Sequence, residues 1–581
     1  MKGKTSLPST QHLLLKILPS LILSLFVLQG VVFILTKNYT YDEAVHVSSG
    51  YSYWVTGEYR MNIFDHPPLA ELIESFPLLF LKLKFPYEHI SWREKLQYPF
   101  GDIFTYHNTV SADVIIFLSR IPVLILSSIL GYIIYLWAKE IYNSTATPLI
   151  LLTLYCFCPE IISHGALATT DFPYTFFLVL TLFFFTQYYL KPSTKKILLV
   201  GLCTGLTLAA KFSGIIIIPL LIFYFIFFSP KKGAKLHHIF IFLVSSVVAL
   251  SLCYRFYAFP LYFEGITYTF SDIQTRGRAS FLFGKHSTSG WFYYFPLAFL
   301  VKTPISLLVF FILSFYYFTT MKQKNLQLQV IFYAIVIIFL AACFTKLNIG
   351  IRHILPVYPL TILFSGISIN RLANSIYQNR TARHYVNFKT ILLILLVLFQ
   401  ITSVARNAPH YLSYFNELVG GGKKGYKYLV DSNLDWGQDL KLLKKFLKKE
   451  NVEEIYFSYF GAADPGYYGI KYINLGFISN IERPDTATNL PTGKKDLLVV
   501  SATNLQCTYY LDKTIFNWLK NKRPYKVIGN TLFVYDITND IESRQHIIKI
   551  LEMMRNYKQL AKEISFLSQM GSLKKENRAP F

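Results

Sequence analysis

Long apolar runs separated by short basic clusters fill the first four hundred residues. A helix needs about 20 mostly apolar residues to cross a bilayer, and runs that can serve fall at 13–35, 114–137, 148–162, 172–190, 197–210, 215–228, 236–253, 293–318, 330–344, 355–369 and 388–404. The runs 197–210 and 215–228 are short enough to be one bent helix, and charge decides between the two readings. Lys191, Lys195 and Lys196 precede the pair and Lys231, Lys232 and Lys235 follow it. Basic residues mark cytoplasmic loops, so both flanks are expected inside and the chain crosses twice between them. Lys322 and Lys324, then Arg371, Arg380 and Arg383, continue the alternation. The first run is longer than a signal segment and lacks a small-residue cleavage site, so it reads as an anchor. The pattern predicts eleven crossings with the N-terminus inside and the C-terminus outside.

That alternation sorts the loops. Inner loops are short and basic, whereas the outer ones hold nearly every side chain able to do chemistry. Two outer segments, 36–113 and 255–292, are too aromatic and proline-rich for free loops and predict interfacial helices. After Arg406 the pattern becomes that of a soluble domain. Strands are expected at 426–430, 454–460, 496–501 and 531–535, with a helix at 434–449. The domain plan is a transmembrane core over 1–405, a small outer α/β domain over 406–540, and a basic amphipathic helix with a polar tail over 541–581.

Composition narrows the class. Apolar residues make up 53% of the 581 and charged ones 15%, against about 25% charged in soluble domains. With 51 Phe and 42 Tyr, the chain suits lipid-facing helices and interfacial belts, which disfavours a soluble enzyme, a disordered chain or a fibrous repeat. Membrane lipids are its expected surroundings. The 57 Lys and Arg exceed the 33 Asp and Glu by 24, but much of the excess sits between apolar runs, so nucleic acid is not an expected partner. The six cysteines show neither a disulfide framework nor C-x-x-C spacing.

Several clusters carry chemistry. Asp42 and Glu43 follow the first run, where paired acids serve as a base and a metal ligand or orienting group, or merely end a helix in water. Asp65-His66-Pro67-Pro68-Leu69 reads as a helix start capped by Asp65. Asp171, in Thr170-Asp171-Phe172-Pro173, caps the next helix or presents a carboxylate at its N-terminus. Arg120 lies about two turns inside the second run, where an ionisable residue marks a polar cavity unless it snorkels. Lys211 sits in a hinge between two runs. Gly284 to Gly290 leads into Trp291-Phe292-Tyr293-Tyr294 and on to Lys302-Thr303-Pro304, as a lipid-phosphate cradle or as interfacial anchoring. Gly350-Ile351-Arg352-His353 is a second turn of this kind, with a guanidinium that can fork onto phosphate. Asp431-Ser432-Asn433-Leu434-Asp435-Trp436-Gly437-Gln438-Asp439-Leu440 opens a helix, and capping alone would explain its polar residues.

Taken in order, Tyr41-Asp42-Glu43, His66-Pro67-Pro68-Leu69, Thr170-Asp171-Phe172-Pro173, the Trp291 to Pro304 block, Arg352-His353-Ile354-Leu355-Pro356 and the Asp431 to Leu440 segment resemble prokaryotic glycosyltransferases of the GT-C superfamily related to protein O-mannosyltransferases and lipid A aminoarabinose transferases. The likeness spans about residues 13–537. It implies a polytopic α-helical core of eleven to thirteen spans with a large outer first loop, and a polyprenyl-phosphate sugar donor. It also implies Asp42 as catalytic base, Glu43 as its companion and Asp171 as the second acid. Charge and predicted side add His66, Arg120, Lys211, Lys302, Arg352 and His353 as candidates for the donor phosphate or sugar. Relatives differ in metal dependence, which leaves a divalent Mg or Mn at Asp42, Glu43 and Asp171 open. The expected reaction is one displacement with inversion onto a protein, lipid or glycan acceptor, at the extracytoplasmic face of a bacterial cytoplasmic membrane. Two other classes stand beside it. A transporter or flippase would also line a cavity with Arg120 and Asp171, though no internal repeat is visible, and a scaffold would use the outer domain for partners.

Overall fold

The computed structural model describes residues 9–228, 235–378, 388–487, 490 and 495–576. Among them six helices are long and apolar enough to cross a membrane: Ile17–Thr36, Ala112–Tyr142, Asp171–Leu190, Leu236–Cys253, Leu326–Cys343 and Phe388–Arg406. They define an integral membrane protein. Of the basic clusters that set the predicted topology, Lys231, Lys232, Arg380 and Arg383 lie outside the described residues.

The other five expected runs are helical but shorter, broken or more polar. Residues 293–318 split into Tyr294–Lys302 and Ile305–Thr320, which meet at 120°. Proline removes a helical donor at the break. The Asn416 side chain caps the freed carbonyls, its Nδ2 donating to the oxygens of Leu300 at 2.7 Å and Thr303 at 2.9 Å. Residues 148–162 likewise divide into Ala146–Cys156 and Pro159–His164, with Pro159 opening the second piece. Thr194–Ala210 is short and packs tightly, since a Cβ on Gly205 would lie 2.2 Å from the Ser246 carbonyl oxygen of Leu236–Cys253. A turn at Phe212–Ile216 leads into Ile217–Phe227, and the last short run becomes Val357–Gln378.

The first outer segment folds back against the bundle. Its helix Glu43–Thr56 is buried rather than interfacial, held between Leu69–Ser75 and Gln97–Tyr106. Gly50 allows the first crossing, because a Cβ there would meet the Glu71 carbonyl oxygen at 2.0 Å. Pro68, not Asp65, occupies the position before Leu69–Ser75; Asp65 Oδ2 instead accepts from Gln97 Nε2 at 3.3 Å. The second outer segment is the helix Pro260–Arg276, which exposes Phe263, Tyr268 and Phe270 as expected of an interfacial element. A hairpin follows, β1 (Ser280–Leu282) and β2 (Lys285–Ser287).

The outer domain carries a five-stranded sheet. Its strands β3 (Glu454–Ser458), β4 (Lys471–Asn474), β5 (Leu497–Ser501), β6 (Lys526–Ile528) and β7 (Leu532–Asp536) lie in the order β4-β3-β5-β7-β6. β3 runs parallel to both neighbours, and β7 is antiparallel to β5 and β6. Its helix begins at Leu440 rather than 434, and the expected strand at 426–430 is irregular chain. The segment 541–576 is not a free tail: Ile541–Met553 and Tyr557–Glu576 pack onto the sheet. Arg544, fully buried, pairs with Asp496 and with Glu563 at 2.8 Å, while the Tyr456 hydroxyl donates to Glu563 at 2.6 Å.

Candidate functional site

The site begins where Ile17–Thr36 ends. Residues 37–41 follow without regular structure and are fastened to the outer domain: Tyr41 N–H donates to the Trp436 carbonyl at 3.0 Å, Asn38 Nδ2 to that of Gly437 at 2.7 Å, and Leu440 N–H to Asn38 Oδ1 at 2.7 Å. Lys37 adds a buried ion pair to Asp439. The Asp431 to Leu440 segment, read from sequence as helix capping, is therefore the seam between domain and core. It delivers Asp42 to the mouth of the bundle.

Asp42 and Glu43 then part company. Glu43 is fully buried, and Arg120 forks onto both its oxygens, Nε to Oε1 at 2.8 Å and Nη2 to Oε2 at 2.6 Å. Backbone N–H groups of Ala168 and Thr40 donate to the same carboxylate at 2.8 and 2.7 Å. Arg120 also donates to the carbonyls of Lys37 and Asn38. The expectation that Arg120 reaches donor phosphate and that Glu43 shares the chemistry gives way to a saturated buried pair joining the first loop to Ala112–Tyr142. Asp42 retains 22% exposure of its side chain. One of its oxygens receives Arg352 Nη2 at 3.2 Å and the other the Tyr98 hydroxyl at 3.4 Å.

Arg352 is the hub. Its Nη1 lies 3.4 Å from Asp171 Oδ2, so it bridges the two acids, and its guanidinium sits 4.3 Å from the centroid of the Trp436 ring. Asp171 opens its helix, but its side chain turns to Lys211 and Arg352 rather than capping. Asn433 of the outer domain places the Arg352 turn by accepting from Ile351 N–H at 2.9 Å and donating to the Tyr294 hydroxyl at 2.9 Å. Gly350 makes room for Ser432, whose Oγ would lie 2.1 Å from a Cβ there; its small size serves the domain seam rather than a ligand.

Polar atoms remain unengaged around this hub. Among the described residues, Arg352 Nε, His353 Nε2, His66 Nδ1 and Thr170 Oγ1 are buried without a hydrogen-bond partner. Burial, then the Lys211 and Arg352 charges, hold His353 well below the usual histidine range. Burial and the neighbouring His46 and Lys211 do the same to His66. Buried polar groups are nearly always satisfied, so these four atoms have hydrogen-bonding capacity left for a further partner.

Lys302 stands apart. It is fully buried, donates to the carbonyls of Leu412 at 2.8 Å and Asn433 at 2.6 Å, and pairs with Glu160 at 3.0 Å, so it braces the helix break instead of facing phosphate. The glycine-flanked block before it is the β1–β2 hairpin, which docks on the outer domain through His286 and the Gln506 carbonyl at 2.7 Å, and so is no phosphate cradle. A metal set of Asp42, Glu43 and Asp171 does not fit the geometry either. Arg120 saturates Glu43, and a guanidinium separates the other two. Sequence reasoning missed Trp436, Tyr98 and Asn433. Trp436 stood inside a quoted motif, yet nothing local indicates its partner 84 positions upstream.

Fold and site together define a polytopic membrane protein with an acid cluster beside its first long loop, under a small α/β domain. Residues 111–257, which carry Arg120, Asp171 and Lys211, match the family model described as dolichyl-phosphate-mannose-protein mannosyltransferase, and over this segment the superfamily resemblance read from the motifs is borne out. Among solved structures, the chain is similar to ArnT from Cupriavidus metallidurans in the apo state, with 12% identity, 89% of this chain and 97% of that one covered, and a TM-score of 0.47. It is similar to the same protein bound to undecaprenyl phosphate, with 12% identity, 90% and 98% covered, and a TM-score of 0.45. It is also similar to the oligosaccharyltransferase of Archaeoglobus fulgidus in the apo form, with 11% identity, 67% and 56% covered, and a TM-score of 0.46. No curated protein sequence matches the chain.

Proposed function

We propose that this protein is a membrane glycosyltransferase that moves a sugar from a polyprenyl-phosphate donor to an acceptor at the extracytoplasmic face, with inversion. The observation that carries the reading is the coupling of one open carboxylate, Asp42, to a buried arginine with an unpartnered Nε. A base thus lies beside an anion-binding group. The family match over residues 111–257 supports the same reaction class.

In this reading Asp42 takes the proton from an acceptor hydroxyl as its oxygen bonds to the anomeric carbon. The bond from that carbon to the phosphate oxygen breaks, and its electron pair leaves with the phosphate. Arg352, stacked on Trp436, and Lys211, held by Asp171, stabilise the charge that builds on the leaving group. A neutral histidine can donate one hydrogen bond without adding charge, which gives His353 and His66 a role at the phosphate or the sugar. Glu43 and Arg120 position the loop.

The test is lipid analysis. Polyprenyl-phosphate sugars extracted from cells lacking the protein should show one species accumulating, and re-expression should deplete it while Asp42→Asn should not. An unchanged lipid profile in the deletion counts against the function.

A further inference from the structure

Asp42 has two oxygens with different neighbours. One faces Arg352 and the phosphate cluster, and the other faces Tyr98. Tyr98 in turn lines a cavity of about 480 Å³, bounded by the first outer loop, the helix Pro260–Arg276 and residue Asn480 of the outer domain. The volume falls within the range of small-molecule sites, about 300–1,000 Å³. In a single displacement, the attacking oxygen approaches the carbon on the side opposite the departing phosphate oxygen. The Asp42 oxygen beside Tyr98, turned away from Arg352, is therefore the one placed to meet an acceptor on the side opposite the leaving group.

We propose, resting on the glycosyltransferase reading, that this cavity is the acceptor site and that the acceptor enters it as a saccharide. The lining argues for the class. Aromatic rings of Phe64, Tyr98 and Tyr268 give apolar faces that pack on the C–H face of a sugar. The planar polar groups of Asp65, Gln97 and Asn480 match the paired hydroxyls along its edge. Tyr combines ring and hydroxyl at low entropic cost. Phe64 and Tyr268 lie with ring centroids 6.0 Å apart, joining the loop to the helix that exposes Phe263 and Phe270. A glycan borne on a lipid and a free polysaccharide present the same hydroxyl chemistry here. Tyr98 is a positioning residue that orients Asp42 toward whichever sugar occupies the cavity.

The experiment blocks the cavity after folding. Asn480 is exposed at the rim, so Asn480→Cys is introduced into the full-length chain, expressed in cells lacking the native copy, and labelled in membranes with a bulky maleimide. Lys285→Cys, on the exposed hairpin, and the unsubstituted chain receive the same reagent. Two readouts follow: consumption of the accumulated lipid-linked sugar, and binding of undecaprenyl phosphate to the purified protein. Labelling of Asn480→Cys should cut consumption at least about tenfold, as misplacing a reactant does, with undecaprenyl phosphate binding unchanged and both controls unaffected. Full consumption by the labelled variant overturns the acceptor site, and so does loss of undecaprenyl phosphate binding, which would assign the cavity to the donor. An unsubstituted chain that consumes no lipid-linked sugar overturns the glycosyltransferase reading itself and the inference with it. Radiolabel from the donor identifies the acceptor once mild acid has destroyed unused donor. Protease-resistant label supports a saccharide, organic-soluble for a lipid-borne glycan and aqueous for a free one. Protease-sensitive label overturns the saccharide assignment.

Discussion

Asp42 and Glu43 are adjacent in the chain and opposite in environment, and the difference comes from residues far away. Arg120, 77 positions on, saturates Glu43, whereas Asp42 meets only a long contact from Tyr98 and one from Arg352. On the proposed glycosyltransferase reading, Asp42→Asn is expected to lower sugar transfer by about 100- to 10,000-fold, the usual contribution of a general base, with binding of the proposed polyprenyl-phosphate donor retained; steady-state transfer and a binding assay on the purified variant check both halves. Arg352 bridges two acids and stacks on an indole, tasks that need a planar guanidinium. Arg352→Lys should therefore raise the donor concentration needed for half-maximal rate while leaving membrane insertion unchanged. Wild-type donor dependence in both Arg352→Lys and Arg352→Ala would show that the bridge has no part in donor binding. The acid pair, Asp171 and the Arg352 turn were legible in the sequence because each stands in a compact local motif. Which acid is open, and that Lys302 faces Glu160 instead of a ligand, were not legible, because both follow from tertiary partners that no spacing encodes.

Helices show the same division. Apolar periodicity located all eleven helical runs, but it does not register that Pro304 turns one of them through 120° or that Asn416 caps the break. The strands β3, β5 and β7 were legible from alternation, while the helix start at Leu440, six residues after the expected one, was not. There the polar side chains that would cap a helix have tertiary partners instead: Asp431 accepts from Tyr509, Asn433 from Ile351 N–H and Asp435 from Thr503 N–H, while Asp439 pairs with Lys37. The link between Glu43–Thr56 and Ala112–Tyr142 rests on a buried ion pair, and removing one partner of such a pair typically costs about 3–5 kcal/mol because a charge is left alone. Arg120→Met should lower the melting temperature of detergent-solubilised protein sharply, and adding Glu43→Gln in the same chain should restore part of the loss. Equal melting of the single and double variants would mean that the pair acts as two independent side chains.

At the scale of the molecule, the predicted topology places Lys235 inside and Arg406 outside. Reporter fusions after those two residues should give opposite compartments, and same-side reporters would move the site across the membrane. The seam between domain and core also carries a pH dependence. Burial raises the Asp435 carboxyl to about 7, against the hydrogen bonds from Thr503, and the Asp431 carboxyl to about 6, opposed by the Tyr509 hydroxyl and Arg352. An unfolded aspartate titrates near about 3.9. Between these values the folded chain keeps protons that the unfolded chain has lost, so the contribution of both residues to stability falls as pH rises from about 4 to about 7 and is flat above. The melting-temperature difference between parent and Asp435→Asn should therefore change across that window, and a difference independent of pH would exclude titration of Asp435 there.

The stretch 37–41 takes partners from residues 436–440, almost four hundred positions later. During synthesis Asp42 emerges early, with its loop tethered on one side only, and the groups that fix it arrive after every membrane-spanning helix has been made. A chain that stops before Asn433 holds Asp42, Arg120 and Asp171 but lacks both Asn433 behind the Arg352 turn and Trp436 beneath its guanidinium. On the proposed glycosyltransferase reading, chemistry is thereby coupled to completion of the polypeptide: copies that stop short of Asn433 are expected to be inactive, and activity is expected only once the last-made domain has docked on the first-made loop.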